Sequence, residues 1–201
     1  MKNEPQVICI TETLPKNQVN YCSPIELGSL NFTSYHCNKS RGVSIYVNTG
    51  LKSEEIKINT DYTESIWVAV EDGKYNILVG CIYRSPNSSS HNSEKLIDLL
   101  EEVSKLKYNA MVIVGDFNYK EIDWENNIVR ANENNAASYI YDKINDLFLT
   151  QLIKEPTRYR EGETSNLLDW VLTTNPERID SIEVGPPLGE KGDHCIIISI
   201  S

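Results

Sequence analysis

Short apolar runs of strand length, separated by polar stretches, set the rhythm of this chain. The run Val7 to Thr11 (VICIT) predicts a short buried strand that ends at Glu12. Phe32 to Cys37 predicts another short strand, and Gly42 to Val47 (GVSIYV) alternates well enough for a third, with Arg41 just before it. Residues 48 to 62 are too polar for an assignment. Ile66 to Val70 and Asn76 to Tyr83 predict successive strands joined through Asp72-Gly73, a dipeptide that favours a tight hairpin turn. Ala110 to Val114 leads into Gly115-Asp116-Phe117-Asn118, and Leu167 to Thr173 (LLDWVLT) predicts a strand with Asp169 embedded in it. The last run, CIIISI at residues 195 to 200, follows directly on Gly192-Asp193-His194.

Two segments carry helical spacing instead. Leu96, Ile97, Leu99, Leu100, Val103 and Leu106 form one apolar face, opposite Glu101, Glu102, Lys105 and Lys107. Asn92 or Ser93 is the expected cap, and Glu94 suits the positive end of the helix dipole. Near residues 134 to 148, Ala136, Ile140, Ile144, Leu147 and Phe148 define the buried side of a second helix. Pro15 and Pro24 among polar residues mark a loop after the first strand, and Pro156-Thr157-Arg158 opens another. A strand-rich order with two helices favours a layered α/β domain over a helical bundle or a pure sandwich.

Composition narrows the picture. The 201 residues, 40% hydrophobic, fit a single domain over residues 1–201, and no run approaches the roughly 20 apolar residues that span a bilayer. MKNEPQ leads straight into the first strand without a signal peptide, so an intracellular protein is expected. No basic cluster is dense enough to mark a nuclear signal. Cys9, Cys81 and Cys195 sit in apolar runs where a reduced thiol acts as a small core side chain; with Cys22 and Cys37 they form no C-x-x-C pair and no zinc-finger spacing. His36 and His91 stand in polar contexts expected at the surface. A net charge of -10 argues against a broad cationic clamp on nucleic acid, while leaving room for an acidic site that gathers cations around a phosphate. Phosphate loops of the G-x-x-x-x-G-K type, G-x-G-x-x-G turns and G-x-S-x-G elbows are all missing from the sequence.

The candidate chemistry lies at the strand ends. Glu12, Tyr83, Asp116, Asn118, Asp169, Asp193 and His194 each lie inside, at the end of, or just before an apolar run. Buried carboxylates are costly unless paired or metal-bound, and several at strand edges point to a shared polar cleft. Continued strand geometry would turn Asp116 and Asn118 to one side, as a phosphate site needs; the alternative is a strand followed by an ordinary Asx turn. Glu12 and Asp193 are oxygen ligands suited to a hard cation. Asp116 or Asp193 can orient or deprotonate water, and His194 can stabilise negative charge while Asp169 accepts its other ring proton. Asn118 and Tyr83 can donate to a phosphate oxygen, and Arg84 has the charge for the same task. Each also has a plainer reading: Glu12 as a surface cap, Tyr83 as a wet edge aromatic, Arg84 in a salt bridge, Asp193 capping a turn, Asp169 and His194 as a structural pair. Ser165 and Asn166 either close the polar turn before LLDW or support the cleft.

The ordered blocks ICITET, CIYRSP, VGDFN, LLDWVL and GDHCII resemble the endonuclease/exonuclease/phosphatase superfamily, in texture most like the apurinic-type endonuclease domains of non-LTR retrotransposons. The resemblance implies a four-layer α/β sandwich with two packed central β-sheets flanked by helices. By it, Glu12 matches the metal-binding glutamate, Tyr83 the tyrosine near the scissile phosphate, and Asp116 and Asn118 the central pair. Asp169 matches the aspartate behind the catalytic histidine, and Asp193-His194 the terminal pair. Arg84 fits the retroelement form of the tyrosine block, with Thr157, Arg158 and Ser165 as second-tier candidates of that branch and Asn166 beside them. Only Met1 to Gln6 precede VICITET, so the family's usual N-terminal strand and helix, and the asparagine the strand contributes, cannot be assigned to any residue. An N-terminally truncated domain is therefore expected.

Implied with the family are Mg²⁺, or Mn²⁺ in its place, as the sole cofactor, water as the attacking group, and DNA as the partner, with a reverse transcriptase domain in a longer parent protein. A nuclear location would follow from that role alone. Two other functions remain open from the sequence: a phosphatase acting on a small molecule or phosphoinositide, and an inactive mobile-element remnant or binding domain.

Overall fold

The computed structural model describes residues 5–15, 31–160, 162, 164–187, 189 and 192–200. The loop expected around Cys22 and Pro24 lies outside them. In chain order the elements are β1 (Val7–Thr11), β2 (Phe32–Cys37), β3 (Val43–Asn48), β4 (Lys52–Glu55), β5 (Ser65–Asp72), β6 (Tyr75–Tyr83), α1 (Ser90–Ser104) and β7 (Ala110–Asp116). There follow β8 (Ile122–Asp123), β9 (Ile128–Val129), α2 (Ala136–Asp146), β10 (Thr150–Gln151), β11 (Asp169–Thr173), a 3₁₀ turn at Pro176–Arg178, β12 (Ser181–Pro187) and β13 (Cys195–Ile200).

A six-stranded sheet ordered β10-β11-β7-β6-β5-β4 packs against a three-stranded sheet ordered β1-β3-β2. Among the described strands only β6 and β7 run parallel, and α1 makes the crossover that a parallel pair requires. Alternation within the strands separates two cores. Val68, Val79 and Cys81 meet Val43, Ile45 and Val47 of β3 between the sheets. Trp67, Leu78, Ile82, Ile113, Trp170 and Leu172 point the other way, under α1 and α2. Gly80 lies beneath Trp67, where a Cβ would come within 2.4 Å of the indole ring. The architecture is thus a mixed α/β sandwich of two packed sheets. Among the described residues, no helix covers the outer face of the three-stranded sheet. The described helices include none long and apolar enough to cross a membrane.

Several boundaries differ from the sequence expectation, each for a local reason. Helix α1 starts one turn early: Ser89 is the N-cap and accepts from the Asn92 amide, while Ser93 is buried and accepts the Tyr119 hydroxyl at 2.9 Å. Helix α2 stops at Asp146, and Phe148 adopts φ 54° and is 86% exposed rather than buried. The polar stretch after residue 48 holds β4, an edge strand whose pairing to β5 needs little apolar content. The β12 strand reads SIEVGPP, and its Gly-Pro-Pro end concealed it in the sequence.

Candidate active site

Strand register builds the site. Tyr83 and Asp116, the last residues of β6 and β7, are cross-strand partners, and Asp116 stands opposite Asp169 of β11. Paired residues on neighbouring strands project to the same face, so the three side chains form a row. That face is the one turned toward the three-stranded sheet, because Cys81, two residues before Tyr83, packs in the inter-sheet core. The row also lies at the C-terminal ends of the two parallel strands, where open α/β sheets leave a crevice. Gly115 makes the convergence sterically feasible. Its φ is 145°, and a Cβ there would lie 1.8 Å from the Ile82 carbonyl oxygen of β6.

Asp169 is held from behind by Thr157, which is fully buried. The Thr157 hydroxyl donates to Asp169 Oδ2 at 2.7 Å and accepts the backbone N–H groups of Leu168 and Asp169 at 3.1 and 3.0 Å. Its carbonyl accepts the Cys195 amide, which fixes the start of β13 and with it His194. His194 Nδ1 lies 2.8 Å from the same Asp169 oxygen, and its Nε2 faces Asp116 Oδ2 at 3.9 Å. Burial alone would lower the His194 pKa, but the Asp169 bond and charge, together with Asp116, outweigh it and lift it to about 9. Asp116 is 5% exposed; burial, then the charge of Asp169, pushes its carboxyl upward against the opposing pull of His194. A buried carboxyl with a raised pKa is a proton acceptor poised near neutrality.

Glu12 arrives from the facing sheet. It follows β1 with φ 55°, and the backbone beyond it is pinned by Thr13 and Leu14 amides donating to the Gly42 and Arg41 carbonyls. Tyr83 donates its hydroxyl to Glu12 Oε1 at 2.5 Å, and Arg41 Nη2 donates to Oε2 at 2.7 Å. Burial would raise the Glu12 pKa, but these two bonds prevail and keep it a carboxylate. Burial and the neighbouring Glu12 push the Tyr83 hydroxyl upward, so it remains a donor.

Not every candidate joins this constellation. Asp193, expected as a cation ligand, instead faces the Arg158 and Arg160 guanidinium Nε atoms at 3.2 and 3.7 Å, so its charge is already compensated. Arg84, expected at the phosphate, is instead 6% exposed; it donates to the Asn118 carbonyl at 3.1 Å and lies over the Tyr119 ring. Asn118 does not continue the strand: it has φ 53°, its N–H returns to Asp116 Oδ1, and its amide donates to the Arg84 carbonyl at 2.8 Å. The Asx turn therefore forms, and with Arg84 it braces the Asp116 corner. Asn166 closes the local turn by donating to the Thr164 carbonyl, while its backbone pairs with Arg158. Ser165 is half-buried beside it. Nothing in the sequence marks Arg41 as a site residue; the β1–β3 register, with Thr11 opposite Val43, brings it next to Glu12.

The donor set fits a divalent ion in part. Asp116, Asp169 and His194 bring ligand-type atoms within 4.8 Å of one another. Within that group, however, Asp169 Oδ2 and His194 Nδ1 are already spent on each other. The Glu12 carboxylate offers a hard oxygen donor of the kind that suits Mg²⁺ or Mn²⁺.

Residues 77–198 match the family described as endonuclease-reverse transcriptase. No curated protein matches the sequence. Among solved structures, the chain is similar to the endonuclease domain of TRAS1, a telomere-specific non-LTR retrotransposon, with 17% identity, 97% of this chain and 85% of that chain covered, and a TM-score of 0.68. It is similar also to the 3' phosphatase NExo from Neisseria bound to a product DNA hairpin, with 13% identity, coverage of 99% and 90%, and a TM-score of 0.71. A third is TDP2 from D. rerio complexed with single-strand DNA product, with 12% identity, coverage of 97% and 85%, and a TM-score of 0.60. At these identities the three structures speak for the fold, and the family match speaks for descent: the chain belongs to the endonuclease/exonuclease/phosphatase superfamily, in its endonuclease-reverse transcriptase family.

Proposed function

We propose that this chain is a divalent-metal-assisted phosphodiesterase that nicks DNA by direct attack of water. The observation that carries the reading is the hydrogen-bonded line Thr157–Asp169–His194 ending opposite the buried Asp116 carboxyl. Asp116 accepts the proton of the attacking water, whose oxygen bonds to phosphorus as the bond to the 3' oxygen breaks; the departing 3' oxygen takes a proton from solvent, leaving a 3'-hydroxyl and a 5'-phosphate. Asp169 keeps His194 doubly protonated, so Nε2–H can donate to a phosphate oxygen as charge accumulates there. Tyr83 and Glu12 form the opposite wall. A Mg²⁺ or Mn²⁺ ion, held by Glu12, would supply Lewis acidity at the phosphate; Asp193 would join it only by leaving its arginines.

DNA is the proposed partner, in keeping with a family description that couples an endonuclease to a reverse transcriptase; such a domain is proposed to share the parent protein. The test compares a 5'-labelled duplex oligonucleotide, a 3'-phosphorylated oligonucleotide and inositol phosphates as substrates in Mg²⁺. Internal cleavage leaving 3'-hydroxyl ends supports the reading. Phosphate release from either phosphomonoester without internal cleavage would replace it with a phosphatase.

A further inference from the structure

Arg41 lies on the turn between β2 and β3, and its carbonyl is clamped by the Leu14 amide at 2.8 Å. Its guanidinium engages Glu12 through Nη2 alone, while Tyr83 takes the other carboxylate oxygen. Both oxygens of Glu12 thus carry a partner without any cation. The second guanidinium arm, Nη1, is buried and has no hydrogen-bond acceptor among the described residues. Arg–carboxylate pairs frequently use both arms in a fork. Here one arm is left desolvated and unspent, which costs stability and marks a resting position rather than an end point.

We propose that Arg41 is a positioning residue that compensates the Glu12 charge in the ion-free protein and thereby lowers the affinity of the cleft for a divalent cation. The inference rests on the preceding reading that Glu12 holds the ion. A cation about 2 Å from a Glu12 oxygen would sit roughly 5 Å from the guanidinium. Repulsion between +2 and +1 at that distance, even with the screening of bulk water, weakens binding about tenfold. The ion must therefore displace Arg41 or share Glu12 with it.

Mn²⁺ binding, followed by the electron paramagnetic resonance signal of free Mn²⁺ and without nucleic acid, tests this directly. Arg41→Gln is expected to bind Mn²⁺ about tenfold more tightly than wild type. Arg41→Lys, which keeps the charge but not the fork, should stay within about threefold of wild type. Arg41→Met, which keeps the packing of the aliphatic stem, serves in place of Arg41→Gln if the latter does not fold. In thermal melts Mn²⁺ should raise the Tm of the charge-removing variant more than that of wild type. Equal or weaker Mn²⁺ binding by the folded charge-removing variant, with Glu12→Gln weak, overturns the Arg41 proposal alone. Equal binding by wild type and Glu12→Gln overturns the cation role of Glu12 as well, and both readings fall together.

Discussion

Asp169→Asn isolates what one charge does for His194. The asparagine keeps the shape of the side chain beside Thr157 but removes the carboxylate that His194 Nδ1 meets at 2.8 Å. Burial alone lowers the His194 pKa, and the Asp169 bond and charge are the leading opposing causes that lift it to about 9. Without them burial is opposed only by the charges of Asp116 and Asp193, and His194 should titrate well below about 9. At about pH 7.5 the protonated fraction, nearly complete in the parent, should fall in the variant. The same shift reaches stability. A histidine whose pKa is raised on folding contributes stability that is full below about 6.5 and lost as pH rises through about 9. The shift from 6.5 to about 9 corresponds to about 3 kcal/mol unscreened. With 34% of the His194 side chain exposed, solvent screening reduces this to ~1–2 kcal/mol. The chain has three histidines, so Cε1–H resonances followed against pH can be assigned through the signal lost in His194→Gln. The variant should also lose the fall in stability between pH 6.5 and 9, read by urea melts. A His194 resonance that still titrates near 9 in Asp169→Asn would refute the dyad as the source of the charge.

Thr157→Val should strip an acceptor from the buried Leu168 and Asp169 amides and a donor from Asp169. The expected loss is about 2–4 kcal/mol, or a Tm lower by roughly 5–15 °C, with Thr157→Ser restoring most of it; an unchanged melt would contradict the hub role. Gly115→Ala places a Cβ 1.8 Å from the Ile82 oxygen, so β6 and β7 must part. Insoluble or grossly destabilised protein is expected by circular dichroism, and a native-like melt would contradict the close approach.

The apolar pattern made most of the fold legible. Strands β1, β2, β3, β5, β6, β7 and β11 stand where alternating or continuous apolar runs placed them, because each packs apolar side chains onto one or both cores; β13 also stands at its apolar run, although among the described strands it pairs only with β12 and leaves Ile198 46% exposed. Elements with little to bury, such as β4 and the Gly-Pro-Pro end of β12, left no such trace. For the site, strand-end polar residues were the readable signal, since a carboxyl in an apolar run is conspicuous. What they face was not readable, because that depends on register and turns. Asn118 leaves the strand through a positive φ, and Arg84 folds inward onto Tyr119. Asp193 meets arginines on a neighbouring loop, and Arg41 reaches Glu12 across a sheet pairing 29 residues apart. Thr157 could be named as a residue of interest from its block, but its role as the buried brace of Asp169 appears only once β11 and β13 converge on it.

Cutting of DNA by Asp116, His194 and Asp169 working with a divalent ion can be measured directly. The direct measurement is conversion of supercoiled plasmid to nicked circles by the purified chain, with Mg²⁺ or with EDTA, beside Asp116→Ala and His194→Ala variants matched for folding by circular dichroism. Mg²⁺-dependent nicking by the parent is expected, falling at least about a hundredfold in each variant. A well-folded parent that leaves the plasmid supercoiled, or variants that nick as fast as the parent, would contradict it.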